Sequence, residues 1–209
     1  MTIFNCTTGY IKQVQAGSIN FSPNIFRPLL DESLFRIRLL DNDLQTFLTL
    51  YFNDFAIPIS TLQKMKWSSC NILMIENKIS FLMVPTLPNT IAIFTSGFDI
   101  SQLRALVWLQ QARVLYWGDI DSHGMEILAL LRSFIPHAQN AIMDRKTFDT
   151  FPEFVVSGQP NSVTTQIHLT NEEQELYLYL TENNLRLEQE KLPLTYVSTR
   201  LLALLNSAL

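Results

Sequence analysis

Short apolar runs alternate with segments of helical spacing along most of the chain. The runs begin near residue 71, and their continuous apolar character is typical of strands that are covered on both faces of a sheet. Strands that alternate with helices of 8 to 14 residues predict βαβ units and a parallel sheet. The predicted strands read NILMIE (71–76), TIAIFTSG (90–97), RVLYWGD (113–119) and NAIMD (140–144).

Five segments after residue 70 are predicted to be helices. In the second of them, apolar residues recur at three- and four-residue intervals from Ile100 to Val107, which indicates one face of an α-helix. The fourth begins with Thr170 and Glu173 in the spacing of a capping box. The predicted helices are NKISFLMV (77–84), ISQLRALVWLQQ (100–111), SHGMEILALLRSFI (122–135), TNEEQELYLYLTENN (170–184) and TYVSTRLLALLN (195–206).

The first part of the chain is less clearly patterned. LFRIRLLD (34–41) alternates apolar with basic residues and is predicted to be a strand, and DNDLQTFLTLYF (41–52) a short helix. Residues 1–65 are expected to be an N-terminal extension or the remnant of a preceding domain, and residues 66–209 the main domain. Residues 150–166 contain two prolines and a glycine, and are predicted to be a loop.

Composition and charge narrow the class of protein. Hydrophobic residues make up 47 % of the 209 residues, enough for a sizeable core, while charged residues, at 16 %, are fewer than the usual quarter. A surface of low charge favours contact with another domain or subunit. The net charge of −4 and the absence of a basic run argue against a stand-alone nucleic-acid binder. Any attraction for phosphate therefore has to come from a partner or from bound metal ions.

Cysteine usage and apolar runs bear on localisation. Cys6 and Cys70 have neither metal-ligand spacing nor a framework pattern, which indicates a reduced intracellular setting. The N-terminus lacks the features of a signal peptide, and no apolar run approaches the length of a membrane span. We expect a cytoplasmic protein without a membrane partner.

Two aspartates close the third apolar run, with one residue between them. Side chains two apart in an extended strand share a face and lie roughly 6.6 Å apart along it, so Asp119 and Asp121 point into the same volume. Ligand sites of parallel sheets lie beyond the carboxyl ends of strands, and Glu76 ends another run. If these strands are neighbours, three carboxylates converge, and a divalent cation would relieve their repulsion. In the alternative interpretation, Asp121 or Ser122 caps the next helix and Glu76 is structural.

Four further residues are candidates with two interpretations each. His123 either contacts a phosphate or is a polar residue at a helix start. Arg145 either supports the site or forms a surface ion pair. Glu188 and Glu190, in RLEQE (186–190), share a face and can hold a second metal if the segment is extended, and diverge on a solvated surface if it is helical.

Several motifs carry a resemblance to a known family. IENKISFL (75–82) and YWGDIDSHGMEIL (116–128) resemble the Toprim domain, which places a glutamate after its first strand and D-x-D after a later one. The segment DIDSHG is similar to the D-x-D-P-x-G form of the topoisomerase VI A subunit and its meiotic recombination relatives. The series of motifs also resembles the C-terminal domain of JetD, the nuclease subunit of Wadjet plasmid-defence systems. It continues with PHAQNAIMDRKTF (136–148), LTNEEQELYLYL (169–180) and LRLEQEKLPLTYV (185–197).

The resemblance implies an α/β Toprim fold, a Rossmann-like parallel sheet flanked by helices, with an N-terminal extension and a C-terminal helical segment. Residues 66–209 would then be the Toprim catalytic domain. It implies a metal-dependent DNA endonuclease that hydrolyses phosphodiesters, in which Asp119 and Asp121 would hold Mg²⁺ or Mn²⁺. Glu76 would bind metal or act as general acid/base, and Glu188 with Glu190 would complete a second metal position. His123 and Arg145 would then face the substrate.

The same resemblance implies double-stranded plasmid DNA as substrate, an SMC-type motor complex as partner and a homodimer as the assembly. A second hypothesis is a catalytically silent, Toprim-derived module that dimerises and docks to a partner complex. A third, a topoisomerase-like or primase-like enzyme, requires a tyrosine-bearing or nucleotide-binding domain that is not recognisable in the chain.

Overall fold

A six-stranded sheet forms the centre of the protein. The computed structural model describes residues 32–47, 51–95, 99–162 and 167–207. The strand order is β2-β1-β4-β3-β5-β6; β3 is parallel to β4 and β5, β5 is parallel to β6, and β1 is antiparallel to both its neighbours. The predicted α/β class with a mostly parallel sheet flanked by helices is confirmed. The strands of this sheet are β1 (Leu34–Leu39), β2 (Asp54–Pro58), β3 (Asn71–Ile75), β4 (Thr90–Phe94), β5 (Arg113–Trp117) and β6 (Gln139–Asn140).

Helices flank the sheet, and a separate two-stranded sheet follows it. This small sheet pairs β7 (Val155–Ser157) with β8 (Leu185–Leu187) in antiparallel register. The α-helices of the described residues are α1 (Asn42–Phe47), α2 (Ile59–Leu62), α3 (Lys78–Met83), α4 (Ser122–Arg132), α5 (Arg145–Thr150), α6 (Asn171–Asn183) and α7 (Leu194–Asn206). The 3₁₀ helices of the described residues are Asp99–Ala105, Val107–Gln110, Pro152–Phe154 and Gln189–Lys191.

The two central strands β3 and β5 explain where a site forms. Every residue of 72–75 and of 114–117 is buried, as expected of strands covered on both faces. The register pairs Ile75 directly with Trp117, so the two strands end at the same level. The segments that follow them leave the sheet side by side at its carboxyl edge.

The N-terminal part of the described chain belongs to this sheet. The predicted strand at 34–41 is confirmed as β1, which pairs with β2 on one side and β4 on the other. The compact unit therefore begins at Leu34, and the boundary expected near residue 65 lies inside it. Strand β2 was not predicted: it ends in Pro58 and lies at the sheet edge, where proline is tolerated.

The prediction of one α-helix at 100–111 is wrong. The segment forms two 3₁₀ helices that meet at Leu106. Its buried residues recur at every third position, which is the 3₁₀ period rather than the α period, and Val107 is 78 % exposed. The buried residues are Ile100, Leu103, Leu106 and Leu109.

Two other predictions need correction, and one is confirmed. The segment 140–144 is extended only at its first residue, since β6 ends at Asn140 and Ile142 has a φ of 62°. The supposed loop at 150–166 contains a 3₁₀ turn and β7. The capping box of α6 is present: the Thr170 hydroxyl accepts from the Glu173 N–H, and the Glu173 carboxylate accepts from the Thr170 N–H.

The Glu173 carboxylate also binds Arg132, which joins α6 to α4. The two side chains are each 11 % exposed. Burial by itself raises the pKa of Glu173, but the hydrogen bonds from Arg132 and from the Thr170 N–H outweigh it, so the pKa is lowered. The pair therefore contributes to stability while the carboxylate is ionised.

Glu173→Ala is expected to lower the free energy of unfolding by about 3 kcal/mol, because it leaves a poorly hydrated guanidinium without its carboxylate. This is the low end for a broken buried pair, since the Ala138 and His168 carbonyls still accept from Arg132. A depressed pKa stabilises above the ordinary Glu value and loses that effect as pH falls through the folded value. Urea unfolding at several pH values should show the difference from wild type shrinking in acid; exposed Glu172→Ala is the control.

Candidate active site

A cleft of about 400 Å³ opens at the carboxyl ends of β3 and β5. Four carboxylates line it, together with a histidine and one arginine, which is the sole permanent cation among its described lining residues. Glu76, Asp119 and Asp121, predicted to converge, all face this cleft. Its charged or titratable lining residues are Glu76, Asp119, Asp121, His123, Glu126 and Arg186.

Glu76 is the first residue after β3. Its N–H donates to the Trp117 carbonyl at 3.1 Å, and its Oε2 accepts from the Tyr116 hydroxyl at 2.9 Å. Burial raises the pKa of Glu76; the Tyr116 hydrogen bond works against this, and the charges of Asp119 and Asp121 add to it. The same burial and the neighbouring Glu76 charge raise the pKa of Tyr116 well above its ordinary value, so its hydroxyl remains a donor.

Gly118 permits the close approach of these groups. A Cβ at this position would lie 2.7 Å from the Tyr116 hydroxyl and 2.8 Å from Glu76 Oε2. A side chain at position 118 would displace the Tyr116 hydroxyl or the Glu76 carboxylate, so glycine directly before the D-x-D segment preserves their hydrogen bond.

Asp121 combines two roles that sequence reasoning treated as alternatives. It is the N-cap of α4, and its Oδ1 accepts from the Gly124 N–H at 2.7 Å. Its Oδ2 lies 3.6 Å from Arg186 Nε, on the cleft side. Burial raises the pKa of Asp121; the Gly124 N–H lowers it, and the Asp119 charge raises it further. The N-cap hydrogen bond fixes the carboxylate, and its second oxygen, Oδ2, faces the cleft.

Asp119 is held by three hydrogen-bond donors, which belong to two residues of the segment around β8. Its Oδ2 accepts from Arg186 through Nε at 3.1 Å and through a terminal nitrogen at 2.5 Å, and its Oδ1 accepts from the Gln189 N–H at 2.9 Å. The same guanidinium lies 3.5 Å from a Glu188 oxygen. Arg186 therefore stands between three carboxylates as their counter-ion.

Backbone pairing brings that segment to the D-x-D residues. Ile120 and Leu187 exchange both backbone hydrogen bonds, at 3.0 and 3.1 Å. Gln189 is 1 % exposed, and with its amide nitrogen as donor it reaches the Trp117 and Gly118 carbonyls at 3.1 and 3.2 Å. Residues 118–121 are thus fixed on one side by α4 and on the other by the segment around β8.

Of the remaining predicted residues, His123 lines the cleft, whereas Glu190 does not. His123 lines the cleft with a side chain 60 % exposed, its Nδ1 4.0 Å from Glu126. Glu190 instead accepts from Asn77, the N-cap of α3, at 2.7 Å, because the 3₁₀ turn at 189–191 separates it from Glu188.

Arg145 is not brought to the cleft. It lies on α5, pairs with Asp149 at 2.8 Å and stacks 4.3 Å from the Tyr179 ring centroid. Its interaction is that of a surface ion pair, which was its second interpretation.

Arg186 and Glu126 are cleft residues that sequence reasoning missed. Arg186 had a signal, since it precedes Glu188 by two residues in an extended segment and shares its face. Glu126 had none beyond its helical position; it accepts from the Tyr177 hydroxyl at 3.0 Å and from Asn161 at 2.8 Å.

The donor set suits a hard cation, but a guanidinium stands among it. Carboxylate oxygens are the ligands that Mg²⁺ prefers, and the raised pKa of Glu76 and Asp121 reflects burial together with like charges that a cation would relieve. Within the described residues, no group of three or more His, Cys, Asp or Glu side chains has the arrangement of a metal site. The residues therefore fit the chemistry of a divalent metal only if Arg186 moves aside.

These features define a mixed α/β domain whose acidic cleft lies at the ends of neighbouring parallel strands. The chain belongs to the family of the Wadjet protein JetD, C-terminal domain, whose model matches residues 29–201. The resemblance found in the sequence is confirmed, and family membership implies a role in a Wadjet defence system. No curated protein matches the chain. Among the described residues, no helix has the length and apolar character needed to span a membrane.

Glu76→Gln is expected to change the pH dependence of stability of the metal-free chain. Because the pKa of Glu76 is raised in the folded state, the folded chain binds this proton more tightly, and the free energy of unfolding falls as pH rises from about 4.3, the ordinary Glu value, through the folded value. Glutamine does not titrate and keeps an acceptor for Tyr116. Urea unfolding in a chelator should show that the free energy of unfolding of the variant rises relative to that of wild type towards neutral pH. If the two free energies had the same pH dependence, the raised pKa of Glu76 would be contradicted.

Proposed function

We propose that the chain is the catalytic domain of a divalent-metal-dependent endonuclease that hydrolyses plasmid DNA within a Wadjet system. The observation that carries the proposal is the convergence of Glu76, Asp119 and Asp121 in one cleft at the ends of β3 and β5. Membership of the JetD family supports it. The cleft is open to solvent on one side, as a site for a polymer backbone must be.

Each side chain has a role in this proposal. Asp119 and Asp121 would hold Mg²⁺ or Mn²⁺, which would supply an activated water and stabilise charge on the reacting oxygens. Glu76, whose pKa is raised, would carry a proton to or from the reacting oxygens, and the Tyr116 hydroxyl orients it. Glu188, whose carboxylate lies 3.5 Å from Arg186, would contribute an oxygen to a second ion, whereas Glu190 is engaged with Asn77.

Partners follow from the same proposal. The lining of the cleft is acidic and the chain carries a net charge of −4, so the metal-free chain has little attraction for DNA, and other components have to bring the plasmid to the metal-loaded cleft. We propose an SMC-type motor complex and a second copy of the chain as these components, in the cytoplasm, with double-stranded plasmid DNA as substrate.

A second candidate function is a catalytically silent module that dimerises and docks to the same complex. The specific observation in its favour is that Arg186 already neutralises Asp119 and contacts Asp121, which gives the carboxylates a structural use without metal.

A thermal unfolding titration with Mg²⁺ and Mn²⁺ separates the two candidates. A ligand that binds only the folded state raises stability by about 2.7 kcal/mol at a hundred times its Kd. We expect this rise in wild type and its loss in an Asp119→Asn, Asp121→Asn double variant, in which the amide oxygens still accept hydrogen bonds. An equal response of the two proteins would exclude the D-x-D as the metal site. No response in either favours the silent module, and cleavage of plasmid by the complete system then decides.

A further inference from the structure

We propose that Arg186 is a phosphate-binding residue whose availability depends on metal. In the ligand-free chain its guanidinium is the counter-ion of the aspartates, and it binds the DNA backbone once a divalent cation takes their oxygens. The inference rests on the proposed function and assigns a substrate-binding role to a residue outside the Glu76 and D-x-D motif. In this inference, Arg186 binds the substrate only after the metal has bound.

The position of the guanidinium is the first argument. Its Nε and one terminal nitrogen both reach Asp119 Oδ2, its Nε lies 3.6 Å from Asp121 Oδ2, and a terminal nitrogen lies 3.5 Å from Glu188. These oxygens are the ones that a divalent cation would need. Arg186 and the cation therefore compete for one set of ligands, and each weakens the binding of the other.

The freedom of the side chain is the second argument. Arg186 is 32 % exposed and lines the cleft, while its backbone is fixed in β8 by pairing with β7 and, at the next residue, with Ile120. The side chain can leave the aspartates without any movement of the strand, and it then remains in the same cleft.

The inventory of charges is the third argument. Of the described residues that line the cleft, Arg186 is the sole permanent cation, and His123 is the one other side chain able to carry positive charge. A phosphodiester in this cleft meets the four carboxylates, so it needs a fixed cation beside the metal. The planar guanidinium binds two phosphate oxygens at once, which a lysine does not do.

The first test is a Mn²⁺ titration followed by thermal unfolding of the full chain, with wild type, Arg186→Met and Arg36→Met. The Arg36–Asp54 pair is a matched control: it is also two-pronged, at 2.7 and 2.8 Å, and its arginine is 36 % exposed, but it lies on β1 and β2 outside the cleft. We expect Arg186→Met to be less stable without metal and to reach half-saturation at an about tenfold lower Mn²⁺ concentration, within the range typical of coupled sites. Arg36→Met should lose stability with no change in that concentration.

The second test is binding of a short fluorescent DNA duplex, measured by anisotropy in a chelator and in Ca²⁺, which carries the same charge as Mg²⁺ and also prefers oxygen ligands. We expect Arg186→Met to weaken duplex binding about tenfold or more in Ca²⁺ and to leave it unchanged in the chelator. Arg186→Lys should restore part of the binding in Ca²⁺, because it keeps the charge but not the fork.

Three results would overturn the inference: an unchanged Mn²⁺ midpoint in Arg186→Met, an equal loss of DNA binding with and without Ca²⁺, or wild-type binding that Ca²⁺ does not improve. The proposed function fails separately, when wild type and the Asp119→Asn, Asp121→Asn double variant respond equally to Mn²⁺. A wild type that binds Mn²⁺ through the aspartates, with Arg186→Met indistinguishable from it, leaves the nuclease proposal standing and removes this one.

Discussion

Asp121→Asn is expected to abolish plasmid cleavage by the complete system while leaving the fold intact. Asparagine is as good an N-cap as aspartate, so its side-chain oxygen still accepts from the Gly124 N–H and α4 still begins at Ser122. What the change removes is the charge that faces the cleft. Loss of groups that merely support a metal ligand costs 10- to 100-fold, so loss of a ligand charge should exceed about a hundredfold in cleavage rate.

Asp144→Asn is the matched control for that variant. Asp144 is the N-cap of α5 and accepts from the Thr147 N–H at 2.8 Å, the same role on another helix outside the cleft. It also pairs with Arg200, an interaction on a partly exposed surface that is worth at most about 1 kcal/mol. We expect a slightly less stable protein that still cuts. Cleavage by Asp121→Asn at the level of this control would contradict the catalytic role of the D-x-D.

Gly124→Ala is expected to destabilise the protein by about 3 kcal/mol, at the upper end for an overpacked site. In an ordinary helix interior the same change stabilises by roughly 1 kcal/mol, so the expected sign is reversed. The reason is one contact: a Cβ on Gly124 would lie 2.3 Å from the backbone carbonyl oxygen of Asp119. Neither backbone can move without displacing the D-x-D segment, so the loss of cleavage should accompany the loss of stability.

Gly158→Ala tests whether the effect is specific to that contact. Its added Cβ would lie 3.2 Å from the Leu185 carbonyl oxygen, which a shift of a few tenths of an ångström relieves. Urea unfolding should show a small change for this variant and a large one for Gly124→Ala. A Gly124→Ala protein as stable as wild type would mean that residues 119–124 have slack that the structure does not show.

The strand ends and their carboxylates were predictable because they depend on local signals. A continuous apolar run such as 114–117 identifies a strand covered on both faces, and the charged residues directly after it must lie at the carboxyl edge of the sheet. That Glu76 and Asp119 meet needed one further step, the adjacency of β3 and β5, which the sequence left as a condition and the parallel register provides.

The error at 100–111 shows how fine the distinction between helix types is. Positions 100, 103 and 106 fit an α period and a 3₁₀ period equally, and the next residue decides. Sequence reasoning took Val107 as the next buried position, whereas the structure buries Leu109 and exposes Val107. A spacing of three sustained over four apolar residues is the signal that favoured the 3₁₀ form.

Arg186 was missed for a different reason, although it shares a face with Glu188. Its role depends on the antiparallel contact between Ile120 and Leu187, two residues in segments with no local pattern in common. Strand β8 has three residues and its partner β7 lies in a segment with loop composition, so neither segment predicts that the two strands pair. The lesson is that a charged residue in a short extended segment can complete a site whose motif lies elsewhere in the chain.

The contact between Ile120 and Leu187 also has a consequence for biosynthesis. Asp119 obtains its donors from residues 67 and 70 positions later, and Asn77 obtains Glu190 from 113 positions later. A nascent chain can build β3 and β5 and still lack the segment around β8 that fixes the aspartates, because loop closure over such separations follows the synthesis of both ends. Residues 185–190 must leave the ribosome before the acidic centre is ordered, so the site forms only after the two strands that carry its carboxylates have been made.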